Sequence, residues 1–335
     1  MNLGRGAAVL LLLSACGAVG APSTDAALPS VVLRSDLPAW ATGPGSPPRF
    51  GFWGLNGHVT PEGFADLRAR FGLGIFQVAS EDPGWTVGTL LPMVRAAGLQ
   101  VTLRLTGDHE RYTTPDGDFD LAAWKAELDR WDPAALALFI ADGTLAGHML
   151  LDDVRTFPGR APDAATLDEL ARYSQSRLPG LLTYVREQAT KLPKPADGRY
   201  HHLDAQVNQY EAAEGDVVAY ARREAAAAHA LDLGVINGLN IADGGDGSAA
   251  HAGWRADHSP MTAAEITRYG AVLADVPSCG MFLAWEYDGE ERWTDGSIGA
   301  DWFDAPDRQA ALRALADRVA AHPPIQLRRP DPPPH

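Results

Sequence analysis

Short apolar segments that end in polar or acidic residues constrain the fold of this 335-residue chain more than any other feature. Segments with a helical period near 3.6 residues separate them. Strands that alternate with helices form a parallel sheet, and eight of them close into a barrel. We therefore predict a single α/β domain over residues 49–323, a (β/α)8 or TIM barrel. The predicted strands are residues 50–56, 74–79, 99–105, 145–152, 180–186, 202–210, 234–241 and 280–287.

The main alternative to a barrel is an open, doubly wound sheet. Such sheets bind dinucleotides through a glycine-rich loop that follows the first strand. The first strand of this chain instead reads Gly51-Phe52-Trp53-Gly54, without that pattern. The sequence also has no phosphate-binding loop and no ligands at a metal-like spacing, so we predict neither a cofactor nor a metal centre.

The polar strand ends predict one shared pocket, because a parallel barrel gathers the carboxyl ends of its strands at one mouth. The two most acidic ends read Leu-Leu-Asp-Asp after the fourth strand and Ala-Trp-Glu-Tyr-Asp at the eighth. The candidate site residues at the mouth are Trp53, Asn56, Arg104, Asp152, Asp153, Asn208, Tyr210, Asn240, Trp285, Glu286, Tyr287 and Asp288.

This mixture of residues is typical of a carbohydrate site. Aromatic faces cover the apolar side of a sugar ring, amides and acids bind its hydroxyls, and two carboxylates divide the acid and nucleophile or base roles. Asp153 is the predicted proton donor because it lies nearest the mouth, and Glu286 is the predicted nucleophile or base. Side chains alternate along a strand, so Asp152 and Asp153 are not both expected to face inward. The alternative role for these acids is to cap helices or to pair with Arg104 or Arg186.

The acidic ends of strands four and eight, with the aromatic first strand, resemble the glycoside hydrolase-like barrels of bacterial exported proteins. The resemblance implies an enzyme of the glycosidase type acting on a carbohydrate. Many such enzymes carry Asn-Glu after strand four and Glu after strand seven, where this chain has Asp152-Asp153 and Asn240. A carbohydrate-binding protein without catalysis, or a structural envelope lipoprotein on a barrel scaffold, is therefore the alternative.

The N-terminus has the pattern of an export signal, with Arg5 followed by a short apolar stretch. Leu13-Ser14-Ala15-Cys16-Gly17 resembles the bacterial lipoprotein lipobox, which implies cleavage before Cys16 and lipidation of that residue. We thus predict a signal peptide over residues 1–15, a flexible tether over 16–48 and a disordered tail over 324–335. An ordinary signal peptide cleaved near Ala21 is the alternative.

These predictions place the protein on the exported side of a bacterial membrane, in the cell envelope and anchored through lipid. No Asp follows Cys16, which leaves inner and outer membrane open. The formal net charge of −15 argues against a nucleic-acid partner, because phosphate binding requires clustered Lys and Arg side chains. The predicted partners are a carbohydrate and the membrane.

Overall fold

The structure is a computed structural model that describes residues 48–56, 58–249, 253, 255, 257–276, 280–288 and 303–322. The predicted signal peptide, Cys16, nearly all of the predicted tether and the tail lie outside the described residues. The side chains of Asn56 and Asp288 also lie outside them, although the backbones of both residues belong to strands.

Eight parallel strands form a closed barrel in chain order, and β8 pairs with β1 to close it. This confirms the predicted (β/α)8 fold. The strands are β1 Arg49–Asn56, β2 Ile75–Ala79, β3 Gln100–Arg104, β4 Leu145–Asp152, β5 Leu182–Arg186, β6 Ala205–Tyr210, β7 Gly234–Asn240 and β8 Met281–Asp288.

Helices on the outside of the barrel alternate with the strands. They are α1 Pro61–Phe71, α2 Pro83–Trp85, α3 Leu91–Ala96, α4 Leu121–Asp129, α5 Pro133–Ala141, α6 Ala164–Arg177, α7 Val217–Ala230, α8 Ala263–Ala274 and α9 Pro306–Ala321. A π-helical turn, Thr86–Leu90, joins α2 to α3. Among the described residues, no helix is long and apolar enough to cross a bilayer.

Local sequence signals determine where several of these helices begin. Thr262 and Glu265 form a capping box at the start of α8, and Thr60 accepts a hydrogen bond from the backbone of Gly63 at the start of α1. Pro133 separates α4 from α5, because proline has no amide proton for a helical hydrogen bond and is tolerated only in the first turn of a helix. These local signals determine where α1, α5 and α8 begin.

The buried apolar residues form two layers. A small inner cluster fills the barrel, and a larger outer cluster lies between the strands and the helices. The inner cluster contains Trp53, Ile75, Ala146, Met149, Leu182, Tyr184, Ala205, Val207, Ile236, Met281 and Leu283. On β5, β6 and β8 these residues are two apart, as expected for side chains that point into the barrel.

The connection between β5 and β6, described in full, contains a 3₁₀ turn at Ala189–Lys191 in place of a longer helix. The carboxylate of Glu224 on α7 holds this turn by accepting hydrogen bonds from the Thr190 backbone at 3.1 Å and from its hydroxyl at 2.9 Å. Glu224 is fully buried, so these bonds compensate its desolvation. One side of the barrel is thereby covered by a loop.

Candidate active site

Arg186 joins the two adjacent carboxylates at the end of β4. Its Nε donates to Asp152 and its Nη2 donates to Asp153, while its Nη1 donates to Gln209 Oε1 at 2.7 Å. Arg186 lies opposite Asp152 in the β4–β5 register, so the two side chains meet across adjacent strands. The guanidinium is thus fixed by three side chains from three positions at the mouth.

Both acids reach Arg186 because β4 ends between them. Asp152 is the last strand residue, and Asp153 has a φ of 44°, in the left-handed region that a non-glycine residue rarely adopts. The alternation of faces applies only to a regular strand, so it no longer separates the two side chains. The expectation that only one of them faces the mouth therefore fails at this turn.

Arg104 provides a second clamp on Asp152. Its Nη1 lies 3.2 Å from Asp152 Oδ2, and its Nη2 pairs with Asp108. Burial alone would raise the pKa of Asp152, but the attraction of Arg186 and Arg104 outweighs burial and lowers it. Asp152 is therefore held ionised, and Arg104 orients this carboxylate as well as being a predicted ligand contact.

Asp153 has the opposite electrostatic behaviour, although its side chain is about half exposed. Removal of its carboxyl from water raises its pKa, the adjacent Asp152 charge adds to that effect, and Arg186 opposes both. The carboxyl is desolvated despite its exposed area because it lies in a concave mouth. Protein atoms surround it there, although part of its surface still meets water. The site thus contains two neighbouring carboxyls whose pKa values are pushed apart.

Trp53 lies beneath Arg186, with the guanidinium carbon 5.6 Å from the ring centroid. The side chain is only 3% exposed and belongs to the inner cluster. A cation–π contact with Arg186 therefore occupies the face that the sequence suggested for sugar stacking. Trp53 forms the floor of the mouth and supports the Arg186 side chain.

The structure corrects the predicted placement of Asn208 and Tyr210. Tyr210 is fully buried in the outer cluster, where its hydroxyl donates to the Gly215 carbonyl at 2.5 Å and its ring packs on Tyr220. Asn208 is two residues earlier on the same face and is 2% exposed. Both side chains point towards the helices because the inward positions of β6 are Ala205, Val207 and Gln209.

The predicted placement of Tyr287 at the mouth is also wrong, because its side chain faces the helices. It is 2% exposed in the outer cluster, and its ring centroid lies 4.6 Å from that of Phe303 and 5.6 Å from that of Phe52. Opposite it in the register is Leu55, which also belongs to the outer cluster. Gly54, with a φ of 63°, breaks the regular alternation on β1 just before Leu55.

The remaining candidates on β7 and β8 lie at the mouth end of their strands. Glu286 is 8% exposed, and Trp285 packs partly against both the inner and the outer cluster. Asn240 is held by its own neighbours, because its Nδ2 donates to Glu211 at 3.3 Å and its Oδ1 accepts from the Asp243 backbone at 2.9 Å. Asn56 and Asp288 lie opposite each other in the β1–β8 register.

Gln209 is a site residue that the sequence prediction did not select. It follows Ala205 and Val207 at a spacing of two, so strand period alone identifies it as the inward residue at the end of β6. The prediction selected Asn208 and Tyr210 because they share a strand face, but that face is the outward one. Within the described part of the chain, no three His, Cys, Asp or Glu side chains are grouped to hold a metal ion.

Two open cavities lie on the outer wall, away from these carboxylates. One of about 560 Å³ lies between α6 and the segment before β6, and one of about 750 Å³ lies between α5 and the end of α6. Charged groups in the first are already bound internally: Asp168 accepts three backbone hydrogen bonds, and Glu169 binds Arg172. The mouth therefore remains the stronger candidate for chemistry.

The sequence matches no protein-family model and no curated protein. Among solved structures, the chain is similar to a GH113 β-1,4-mannanase, with a TM-score of 0.51, 14% identity, and coverage of 86% of this chain and 99% of that one. It is also similar to endo-glycoceramidase II from Rhodococcus sp., with a TM-score of 0.50, 13% identity, and coverage of 87% and 81%. A cellulase in an inhibitor complex is similar as well, with a TM-score of 0.51, 12% identity, and coverage of 81% of this chain and 93% of that one.

At these identities the likeness concerns the fold. The chain has the glycosidase-like (β/α)8 fold of these hydrolases and carries a cluster of acids and arginines at the mouth.

Proposed function

We propose that this protein is a carbohydrate-active hydrolase of the glycosidase type, anchored to a bacterial membrane on its exported side. The observation that carries the proposal is the pair Asp152 and Asp153, whose pKa values are displaced in opposite directions at the barrel mouth. Environments that separate the pKa values of neighbouring carboxyls are a recurring arrangement in acid–base catalysis. The fold shared with glycoside hydrolases supports a carbohydrate as the substrate.

Asp153 serves as the proton donor in this mechanism. Its raised pKa keeps a larger fraction protonated than an ordinary Asp, and its half-exposed carboxyl is open to the leaving oxygen. Asp152 remains ionised and holds Arg186 in place. Glu286, at the end of β8, acts on the anomeric carbon directly or through a water molecule.

The roles are tested by substitution and a panel of polysaccharides and aryl glycosides. Asp153→Asn should reduce turnover of substrates with poor leaving groups by about 10²–10⁴-fold, the usual contribution of a general acid. Substrates with activated aryl leaving groups should retain more of their turnover, because they need less protonation. Glu286→Gln should reduce turnover of both kinds.

Product stereochemistry, followed by NMR of the released sugar, then separates the two roles of Glu286. Retention indicates a covalent intermediate, and inversion indicates attack by water. The assignment is overturned if both variants hydrolyse every substrate at the wild-type rate while remaining folded by circular dichroism.

A second candidate function is carbohydrate binding without hydrolysis. It is favoured by the Arg186 contact to Asp153, which stabilises the ionised form, and by Asn240 in place of an acid on β7. Titration calorimetry with oligosaccharides would then show binding by the wild-type protein, with no cleavage products after prolonged incubation. Detectable cleavage that Asp153→Asn abolishes would contradict this function.

Attachment to the membrane is proposed from the lipobox resemblance at Cys16. Two or more acyl chains give stable anchoring, because each buried methylene contributes about 0.8 kcal/mol. Cys16→Ser should move the protein from the membrane fraction to the soluble exported fraction and abolish labelling by fatty acid. A wild-type protein that carries no lipid would support the alternative cleavage near Ala21.

A further inference from the structure

His109 lies beside the candidate active site without having been selected by any sequence signal. It opens the 3₁₀ turn His109–Tyr112 that follows β3 at the mouth end of the barrel. Its ring stacks on Phe157, with centroids 4.6 Å apart and planes inclined by only 15°. Its Nδ1 lies 3.4 Å from Thr156 Oγ1. Both of these partners belong to the segment that follows β4.

Thr156 connects His109 to Asp153. The Thr156 backbone amide donates to the Asp153 carbonyl at 2.9 Å, and its hydroxyl donates to the same oxygen at 2.8 Å. These bonds close the turn in which Asp153 adopts its left-handed conformation. A non-glycine residue remains in that conformation only where its surroundings determine it. The stacked ring of His109 is part of those surroundings.

The imidazole is also electrostatically coupled to the acids. Burial lowers the pKa of His109, whereas attraction by Asp152 and Asp153 raises it and Arg104 lowers it further. The charged groups facing the ring are thus Asp152 at the end of β4, Asp153 in the turn after it and Arg104 on β3. Conversely, a positive His109 lowers the pKa of Asp153, so each of the two groups influences the protonation of the other.

We propose that His109 is a positioning residue for Asp153: it holds the Asp153–Phe157 turn through Phe157 and Thr156 and places an imidazole beside the Asp153 carboxyl. The inference rests on the proposed role of Asp153. It adds a group that influences the protonation of the proposed donor, because a positive His109 acts on the Asp153 carboxyl.

The test is an NMR titration of the purified protein from about pH 3 to pH 8, without any substrate. His109→Phe keeps an aromatic ring on Phe157 but removes the charge. It should raise the midpoint of the Asp153 carboxyl by roughly 0.5 pH unit, as expected for charges several ångströms apart in a partly aqueous site. Asp153→Asn should lower the midpoint of the His109 ring by a similar amount, since coupling is reciprocal.

His109→Gln separates the electrostatic from the packing contribution, because it retains a hydrogen-bonding side chain but loses the aromatic stack. It should displace the backbone amide signals of Thr156 and Phe157, which His109→Phe should leave closer to the wild type. His229→Gln, a change of an exposed histidine at the end of α7, is the matched control and should alter neither midpoint.

The proposal is overturned if the Asp153 midpoint is the same in the wild type and His109→Phe while the His109 midpoint is unmoved in Asp153→Asn. Failure of the proposed hydrolase is a separate outcome, because the titrations need no turnover. Where hydrolysis is detected, His109→Phe should shift its alkaline limb to higher pH by the same interval as the Asp153 midpoint. An unshifted limb would contradict the proposed positioning role.

Discussion

At the scale of single residues, the two carboxyls beside Arg186 differ because Asp152 has two arginine partners and Asp153 has one. Asp152 gains more from these charges than it loses by burial, so its pKa is lowered on folding. A lowered pKa contributes stability that is complete above the ordinary Asp value and is lost as the pH falls through the lowered value. Asp152 therefore stabilises the fold at neutral pH.

We predict that Asp152→Asn lowers the free energy of unfolding at pH 7 by about 2 kcal/mol, the usual contribution of hydrogen bonds to charged groups. Urea unfolding measures the difference, which should diminish as the pH is lowered below about 3.8, the ordinary Asp value. Asp66→Asn removes an exposed helical ion pair with Arg70 and should cost less than about 0.5 kcal/mol. Equal unfolding curves for Asp152→Asn and wild type at pH 7 would refute the stabilising role.

At the scale of secondary-structure elements, His148 joins β4 to α6 and α4. It is fully buried, its Nδ1 lies 2.8 Å from Ser174 Oγ, and its ring stacks on Trp124 at 5.9 Å. Burial lowers the pKa of His148 to about 3. The folded protein therefore resists protonation of this ring, whereas the unfolded chain takes up a proton below the ordinary His value of 6.5.

It follows that acidification from pH 7 to pH 5 destabilises the wild type partly through His148. His148→Gln should be less stable than the wild type at pH 7, because it loses the ring, but its stability should fall less between the two pH values. Urea unfolding at both pH values measures this. His229→Gln changes an exposed histidine and is the control, so its stability should follow the wild-type pH dependence. If the stability of His148→Gln falls between pH 7 and pH 5 as much as that of the wild type, His148 does not contribute to the pH dependence.

The pairing of β1 with β2 depends on a glycine. A Cβ at Gly51 would lie 1.6 Å from the Ile75 carbonyl oxygen, a backbone atom of the paired strand. Gly51→Ala should therefore destabilise the barrel by about 3 kcal/mol or more, since the strands would have to separate. Gly88→Ala is the control, because a Cβ at position 88 would meet open space in a helical turn. This change should be neutral or should stabilise the protein by up to about 1 kcal/mol. Thermal unfolding of the pair compares them directly, and a Gly51→Ala protein as stable as Gly88→Ala would contradict this account.

Elements were more predictable than side-chain directions. Apolar periodicity was enough to locate β4 at Leu145–Asp152, because it depends on local sequence. The inward or outward direction of a strand-end residue depends on each strand's register and regularity. Tyr287 was misplaced because strand eight was read without its register against Leu55. The alternation expected for Asp152 and Asp153 failed because β4 ends between them.

At the scale of the whole molecule, the point where the chain enters the barrel and the candidate site lie at opposite ends of the strands. The chain enters the barrel at Arg49, whose backbone amide donates to the Gly280 carbonyl at the start of β8, whereas the acids follow the ends of the strands. A tether over residues 16–48 has an average end-to-end distance of roughly 30 Å if it behaves as a flexible chain. The net charge of −15 gives no electrostatic attraction to an anionic membrane.

We therefore predict that the mouth of the lipidated protein faces away from the membrane on average. A fluorophore attached at Ala141→Cys, at the end of α5 near the start of β4, should be quenched by a headgroup quencher more strongly than one at Glu110→Cys beside the mouth. The remaining cysteine, Cys279, is replaced by Ala in both proteins so that only one site is labelled. Stronger quenching at position 110 would contradict this orientation. If the lipid on Cys16 attaches the protein to the membrane, the Cys16→Ser forms should lose quenching at both positions.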